Sequence, residues 1–415
     1  MSPAVPTRDG ASARWAEARN ILAVRLDNLG DVLMATPALA AILETLPAAK
    51  LTLLGSPAGA ALVRHLPMID AVIGWRAPWV RHATPSEHDL DARRFVDEIG
   101  ARAFDAAVIF TTCTQSALPA ALMCQMAGIP LRLAYSRENT YDLLSDWAPE
   151  TDQVADGMRH EVTRQLALVA KVGFTTANPR LRFALDRAAH EAAAAALRAA
   201  GFEAGGRYVV VHPGATAASR RYPAAAFGAA ADLVAQRSGR TIVFSGGAGD
   251  RALVDTAQQA MRSPSVALCD ALDLGGLGAL IANADLLIAN NSGPVHVAAA
   301  LGTPVVDLYA LTNPQHTPWL VPARVLNHAV PCRHCLKSVC PQGHHDCLRK
   351  VEPEAVAAAA MELLSVTPRT RIGPTPSAHI AIAAASTVGP RPISSTPDAA
   401  SRTRGQRAVI PEPAA

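Results

Sequence analysis

No uninterrupted apolar run of about 18 residues occurs in this 415-residue chain, so a membrane-spanning helix is not expected. The longest approach, LGGLGALIANADLLIANNSG, is broken by Asp285 and by its asparagines. The first residues, MSPAVPTRDGASARWAEARN, lack the apolar core that a secretory signal needs. An excess of one charge is missing too: 38 Lys and Arg stand against 35 Asp and Glu, a formal net charge of +3. That balance does not suit a nucleic-acid binder, which concentrates far more positive charge on one face. It does permit loose attraction to anionic lipid or to a phosphorylated sugar. The odd count of 7 cysteines fits a reducing compartment better than a disulfide framework. These absences together give the expectation of a cytoplasmic chain with no nucleic-acid partner.

What the chain does have is core-forming material: 50% hydrophobic residues and 18% charged, over a length that exceeds one ordinary core. Short apolar runs alternate with Ala/Leu-rich helical stretches, and the pattern occurs twice. The strand candidates are 21–25, 51–54, 71–75, 106–111 and 131–135, then 208–212, 241–245, 266–268, 286–289 and 304–309. Near-continuous apolar strands separated by helices predict parallel sheets covered on both faces, five strands in each. The boundary is expected near Pro179 to Asp186. Asp186 would cap the helix that follows, and Gly201 would stop it. Past Thr367 the composition turns to Pro, Ser, Thr and Arg without apolar periodicity, and a disordered tail is expected.

The stretch VRLDNLGDVLMATPAL places two carboxylates, Asp27 and Asp31, at the mouth of a buried strand, on either side of Gly30. Either acid caps the next helix, or one of them is a catalytic base; the local sequence leaves both open. Thr36 and Pro37 predict a regular helix beginning there, with 30–35 as a turn or kinked first segment.

Three loops in the second half suit an anion. In VVVHPGATAASRRYP a strand runs into a small-residue loop with Thr216 and Ser219, where backbone N–H groups and Arg220 or Arg221 can meet a phosphate. An ordinary loop with a solvated arginine pair is the other reading. VFSGGAGD repeats the theme without G-x-G-x-x-G spacing, so it is not the dinucleotide fingerprint. Its Asp250 either binds a ribose hydroxyl or caps the next helix. LLIANNSGPVHVAAALGTPVV breaks a strand into Asn291, Ser292 and Gly293 ahead of a helix with His296 in its first turn. Gly293 permits close backbone approach, and His296 either touches a diphosphate or packs under the loop. Such loops at strand ends in one domain imply a nucleotide crevice.

In this order and spacing, RLDNLGDVLMATPAL, HPGA…SRRYP, SGGAGD and NNSGPVHVAAALGTPVV resemble the family 9 glycosyltransferases, the lipopolysaccharide heptosyltransferases and their relatives. The resemblance runs from about Ile21 to Leu364. Each motif is weak alone, and four in register are specific. The resemblance implies an α/β chain of GT-B fold, two facing Rossmann-like doubly wound domains. Its segments would be a disordered 1–19, an acceptor domain at 20–182, a nucleotide-sugar domain at 183–366 and a disordered tail at 367–415. The last helix, 353–364, would return towards the first domain.

For chemistry the resemblance implies an inverting heptose transfer from a nucleotide sugar, ADP-heptose foremost, to a lipopolysaccharide core acceptor. No catalytic metal and no cofactor are implied. Asp31 falls on the family's general base, which leaves Asp27 as a loop or capping residue. Arg220 falls on its phosphate-binding lysine, Ser292 and Gly293 on its diphosphate cradle, and His296 on the histidine that follows. Asn291 stands where the family often has Asp, and Tyr222 where it usually has Trp. Thr216, Asp250 and Asn291 complete the expected donor site. Arg64 and Arg132, with Arg137 and Arg159 nearby, are candidates for an anionic acceptor or for solvated surface.

Contact with the inner membrane would be peripheral, on its cytoplasmic face. Another nucleotide sugar on a different glycan is the alternative within this fold, and a non-catalytic two-lobed binding protein is the alternative outside it. CRHCLKSVCPQGHHDC remains, with Cys332, Cys335, Cys340 and Cys347 beside His334, His344 and His345. Its spacing is a zinc signal that matches no standard finger, against reduced thiols in a long loop. No metal is assigned to it.

Overall fold

The apolar runs form two parallel sheets in the computed structural model, which describes residues 8–80, 92–203 and 205–366. The first sheet holds β1 (Asn20–Arg25), β2 (Lys50–Gly55), β3 (Ala71–Gly74), β4 (Ala106–Ile109), β5 (Leu131–Ser136) and β6 (Asp146–Pro149), in the order β3-β2-β1-β4-β5-β6. The second holds β7 (Tyr208–His212), β8 (Thr241–Gly246), β9 (Ser265–Cys269), β10 (Leu286–Asn290), β11 (Val305–Leu308) and β12 (Ala323–Leu326), in the order β12-β11-β10-β7-β8-β9. The winding is the same in both. The strand order reverses between β1 and β4 and again between β7 and β10, and crevices at the carboxyl ends of such pairs are where α/β sheets bind ligands. Val24 lies level with Leu54 and Ile109 across the first sheet, and Ala289 level with His212 across the second. The loops that follow these strands therefore leave at one height on each sheet.

Each sheet has six strands, not the expected five. β6 (DWAP) and β12 (ARVL) escaped the sequence reading because neither is an apolar run. β6 alternates buried and exposed residues, and β12 is mostly half-buried. Both are edge strands, which need to bury only part of their surface.

The expectation of disorder through residue 19 is also corrected. A helix spans Arg8–Trp15, and Trp15 is fully buried. Its ring meets Phe174 edge-on at 5.9 Å, and its indole N–H donates to Asp146 at 2.9 Å. An amphipathic tryptophan with a polar partner for its N–H ties down a segment whose composition alone reads as loose. Residues 1–7 and the expected tail at 367–415 lie outside the described residues. The last helix, Pro353–Val366, does not return to the first domain: Val356, Ala357, Ala360 and Leu363 lie in the core of the second sheet.

Thr36 and Pro37 do not start a helix. One helix runs unbroken over Leu29–Thr45 with Pro37 inside it. Proline cannot donate to the carbonyl four residues back, which is Leu33. The Thr36 hydroxyl takes over that duty, donating to the Leu33 carbonyl at 2.6 Å, while it accepts the Arg182 N–H at 2.9 Å. Thr36→Val is expected to lower stability by about 1–3 kcal/mol in urea unfolding, because it strands a buried carbonyl. Adding Pro37→Ala restores a backbone N–H to Leu33 and should recover part of the loss. No recovery would mean that the hydroxyl acts through Arg182 alone.

Candidate active site

β1 ends at Arg25, whose side chain is fully buried between three carboxylates: Asp27 at 3.0 Å, Glu161 at 3.2 Å and Asp31 at 3.3 Å. Burial opposes its charge, but Asp27, Glu161 and Asp31 outweigh that and raise its pKa further, so it stays a cation. Glu161 opens the helix Glu161–Val169 and is itself held by Gln165. Arg164 lies beside it, donating to Glu150 at 2.8 Å and sitting 4.6 Å over the Tyr135 ring. The turn after β1 is thus fixed by a polar network in the interior of the first half.

The two acids of the opening stretch have different surroundings. Asp31 is the third residue of the helix Leu29–Thr45 and accepts the Asn28 N–H at 3.2 Å, so it does cap that helix. Burial is the largest single effect and would raise its carboxyl, but Arg25, His316, His296 and the Asn28 N–H together outweigh it and hold it below the ordinary range. Asp27 accepts the Gln115 amide at 2.6 Å and caps nothing. There burial wins over Arg25, and its carboxyl is raised. Asp31 is the acid held as an anion.

On the second sheet the organising residue is Asn290, fully buried at the end of β10. Its amide donates to the Pro213 carbonyl at 2.7 Å and accepts the Tyr222 N–H at 2.8 Å, so it pins both ends of the loop that carries Thr216 and Arg220. The Ser292 hydroxyl reaches Asn290 O at 3.2 Å, and the helix Gly293–Leu301 begins beside it. Helix N-termini present unpaired N–H groups and positive potential.

The amino ends of the two helices meet across the crevice. A Cβ on Gly30 would stand 2.6 Å from His296 Cδ2, and one on Gly293 would stand 3.4 Å from Leu29 Cδ2. Gly30 is therefore required by close approach: a Cβ there would force the buried His296 ring to shift. His296 is buried, burial lowers its pKa to about 3, and its Nδ1 has no hydrogen-bond partner among the described residues. His316, from the loop after β11, is buried and held neutral in the same way, its Nε2 without a hydrogen-bond partner among the described residues. The charge of Arg220 acts on both imidazoles, and among the described residues its side chain makes no ion pair.

Asp31, Arg220, Ser292, Gly293 and His296 thus gather at one crevice. Thr216 is exposed on the loop that Asn290 pins. Asp250 lies with its carboxylate against Gly214 and accepts the Gly247 N–H at 3.0 Å, which is the capping use.

Two expected site residues are corrected. Asn291 does not face the crevice: it is buried, and its amide donates to Asp307 at 2.9 Å and to the His316 carbonyl at 2.8 Å, so it holds His316 in place. Arg132 sits near the start of β5, away from the carboxyl ends, and its guanidinium is taken up by the carbonyls of Leu143, Asp142, Pro130 and Ile129. It fastens a loop and is not free for an acceptor. Arg137 and Arg159 are similarly engaged, with the carbonyls of Cys113 and Asp152 and with the Asp152 carboxylate. Arg64 is exposed.

Arg25, Glu161, Asn290 and His316 were missed. Arg25 carried a signal, a cation ending an apolar strand directly before two acids. Glu161 and His316 carried none, because the fold brings them in from far along the chain.

The sequence profile described as "Glycosyltransferase family 9 (heptosyltransferase)" matches residues 92–345, and the chain belongs to that family. It is 28% identical over 165 residues to lipooligosaccharide heptosyltransferase 2 of Campylobacter jejuni, which is 39% of this chain and 52% of that protein. The chain therefore spans about half the length of that relative. The fold follows the glycosyl transferase family 9 structure from Veillonella parvula, with a TM-score of 0.69 and 22% identity over 84% of this chain and 98% of that one. It also follows the ADP-heptose lipopolysaccharide heptosyltransferase II of E. coli, with a TM-score of 0.64 and 21% identity over 83% and 98%. The two sheets with their crevice are the GT-B fold.

Asp307, fully buried under the crevice, gives a test of this packing. Burial raises its pKa to about 8, and its Oδ1 has no hydrogen-bond partner among the described residues. The folded chain then keeps a proton that the unfolded chain has released, so this residue's contribution to stability is present below about pH 4 and is lost as the pH rises towards 8. Asp307→Asn still accepts from Asn291 and carries no proton to lose. Its melting temperature is expected to gain on that of the wild type steadily between about pH 5 and pH 8. A constant difference across that window would contradict a protonated Asp307.

Proposed function

We propose that the chain is an inverting, metal-independent glycosyltransferase that moves a heptose from ADP-heptose to a lipopolysaccharide core acceptor. The observation that carries this reading is an anionic Asp31 facing, across one crevice, the amino end of the helix Gly293–Leu301 and Arg220, whose side chain makes no ion pair among the described residues. Family membership and the heptosyltransferase names of its relatives support the sugar and the acceptor class.

An inverting transfer needs one base on the acceptor side. Asp31 takes the proton of the acceptor hydroxyl as its oxygen attacks the anomeric carbon from the face opposite the nucleotide. The bond from that carbon to the diphosphate oxygen breaks, and its electron pair leaves with the diphosphate. Arg220, Ser292 and the N–H groups opening the second helix stabilise that charge. His296, its pKa lowered by burial, is neutral and so does not compete with Arg220 for the phosphate.

Among the described residues no helix is long and apolar enough to cross a membrane. Reaching a lipid-linked acceptor is then a matter of peripheral contact on the cytoplasmic face of the inner membrane.

Calorimetric titration with ADP, UDP and GDP, without added metal, tests the donor. Selective ADP binding is the expected result. A preference for UDP or GDP moves the substrate to another nucleotide sugar, and no binding removes the donor site. Asp31→Asn is expected to keep ADP binding and to lose transfer by about 100-fold or more. If Asp31→Asn transfers as fast as the wild type, the base is elsewhere.

A further inference from the structure

The loop after β11 is built into the junction of the two halves. The Glu161 N–H donates to the Gln315 carbonyl at 3.1 Å, and His160 Nε2 lies 2.8 Å from the Thr317 carbonyl. The His160 ring also stacks on Trp319, with ring centres 4.5 Å apart. All of these contacts fall at the start of the helix Glu161–Val169, whose first side chain meets Arg25 at 3.2 Å. Between the two pinned carbonyls stands His316.

The same residue is fixed from the second sheet. The Asn291 amide donates to the His316 carbonyl at 2.8 Å, and the His316 N–H donates to the Tyr309 hydroxyl at 3.2 Å. The Tyr309 hydroxyl in turn donates to the Asn313 carbonyl and closes the loop on itself. Two buried polar side chains of the second sheet, Asn291 and Tyr309, are therefore spent on the backbone of His316.

What they hold is a ring with no use of its own in the fold. His316 is 8% exposed, and its Nε2 has no hydrogen-bond partner among the described residues. Beside it Gln315 is fully buried, and neither atom of its side-chain amide has such a partner. Native interiors seldom leave such groups unpaired, because each forfeits the hydrogen bonds it had in water. The charges of Asp31 and Arg220 both act on the His316 ring, as do those of Glu161 and Arg25. The anion of one wall and the cation of the other thus reach the same imidazole. In the transfer described above, the sugar lies between those two charges, so the ring borders the sugar and not the base of the nucleotide.

We propose that His316 binds a hydroxyl of the transferred sugar through Nε2, and so selects the donor by its sugar. A hydroxyl both donates and accepts, so it suits the neutral ring in either tautomer. A sugar entering between the walls supplies the partner that Nε2 lacks. A donor without that hydroxyl leaves the nitrogen unpaired, which is how a polar site rejects a deoxy analogue. The inference rests on the donor site proposed above and adds the residue that reads the sugar.

Calorimetric titration of the wild type, His316→Phe and His316→Gln with ADP and with ADP-heptose tests it. ADP affinity should be the same in all three, which also shows that the variants fold. ADP-heptose affinity should fall about tenfold in His316→Phe, and by less in His316→Gln, whose amide can still meet a hydroxyl. Among ADP-heptose analogues that each lack one hydroxyl, at least one should bind the wild type about tenfold more weakly than ADP-heptose. The same analogue should bind His316→Phe no worse than ADP-heptose does, because the contact is already gone. If both variants fail to fold, the analogue series on the wild type decides, since a site that leaves the sugar unread binds every analogue as it binds ADP-heptose.

Equal affinity of the wild type and His316→Phe for ADP-heptose overturns the contact. A parallel loss of ADP and ADP-heptose affinity, with no analogue singled out, also overturns it and leaves His316 as a prop for the loop. A wild type that binds no ADP removes the donor site and this contact with it. The ADP titration therefore tells failure of the donor reading apart from failure of His316.

Discussion

One buried guanidinium organises the first half of the crevice. Arg25 has no exposure to solvent and meets Asp27, Asp31 and Glu161, which come from two segments far apart in sequence. Burying such charges costs several kcal/mol per ion, so the cluster is a poor device for stability as such. What it provides is position. With the cation at the end of β1 fixed by Glu161 in the helix Glu161–Val169, the turn at 26–30 has few other places to go. Asp31 is then delivered to the mouth of the crevice as an anion.

The second half is organised by a neutral clamp. Asn290 grips both ends of the loop from Pro213 to Tyr222, and Asn291 fixes His316, so two adjacent amides set the whole donor side. The separation of charge follows. Asp31 is the anion of one wall, and Arg220 is the cation of the other, without a protein partner among the described residues. The imidazoles between them are held neutral by burial, which keeps the cation available for phosphate and the carboxylate available for a proton. Gly30 allows the walls to come this close, since any larger residue would collide with His296.

Where a signal is local, the sequence was legible. The central strands, the glycine-bearing loops after β7 and β10, and the capping acid Asp31 all lie within short windows of apolar or small residues. Arg132 and Asn291 misled for a common reason: residue type suggested a ligand, but the fold spends their hydrogen bonds on its own carbonyls and on Asp307. Thr36 and Pro37 read as a helix start because the substitute bond from the Thr36 hydroxyl to Leu33 cannot be seen without the helix. Trp15 sits in a segment of loose composition, and only its burial against Phe174 shows that it belongs to the core. Glu161 and His316 are the deeper case, since each gains its meaning from Asp31 and Arg25 far away along the chain.

The central claim is that Arg25 keeps Asp31 ionised and so ready to accept a proton. The pH dependence of kcat/KM for transfer, followed from about pH 4.5 to pH 8 on the folded chain, tests it most directly. The account expects no acid limb in that range, because Arg25, joined by its other neighbours, holds the Asp31 carboxyl below the ordinary carboxylate value against burial. An acid limb with a midpoint at about pH 5.5 or above would contradict it and would point to a base whose carboxyl is raised, with Asp27 the first candidate.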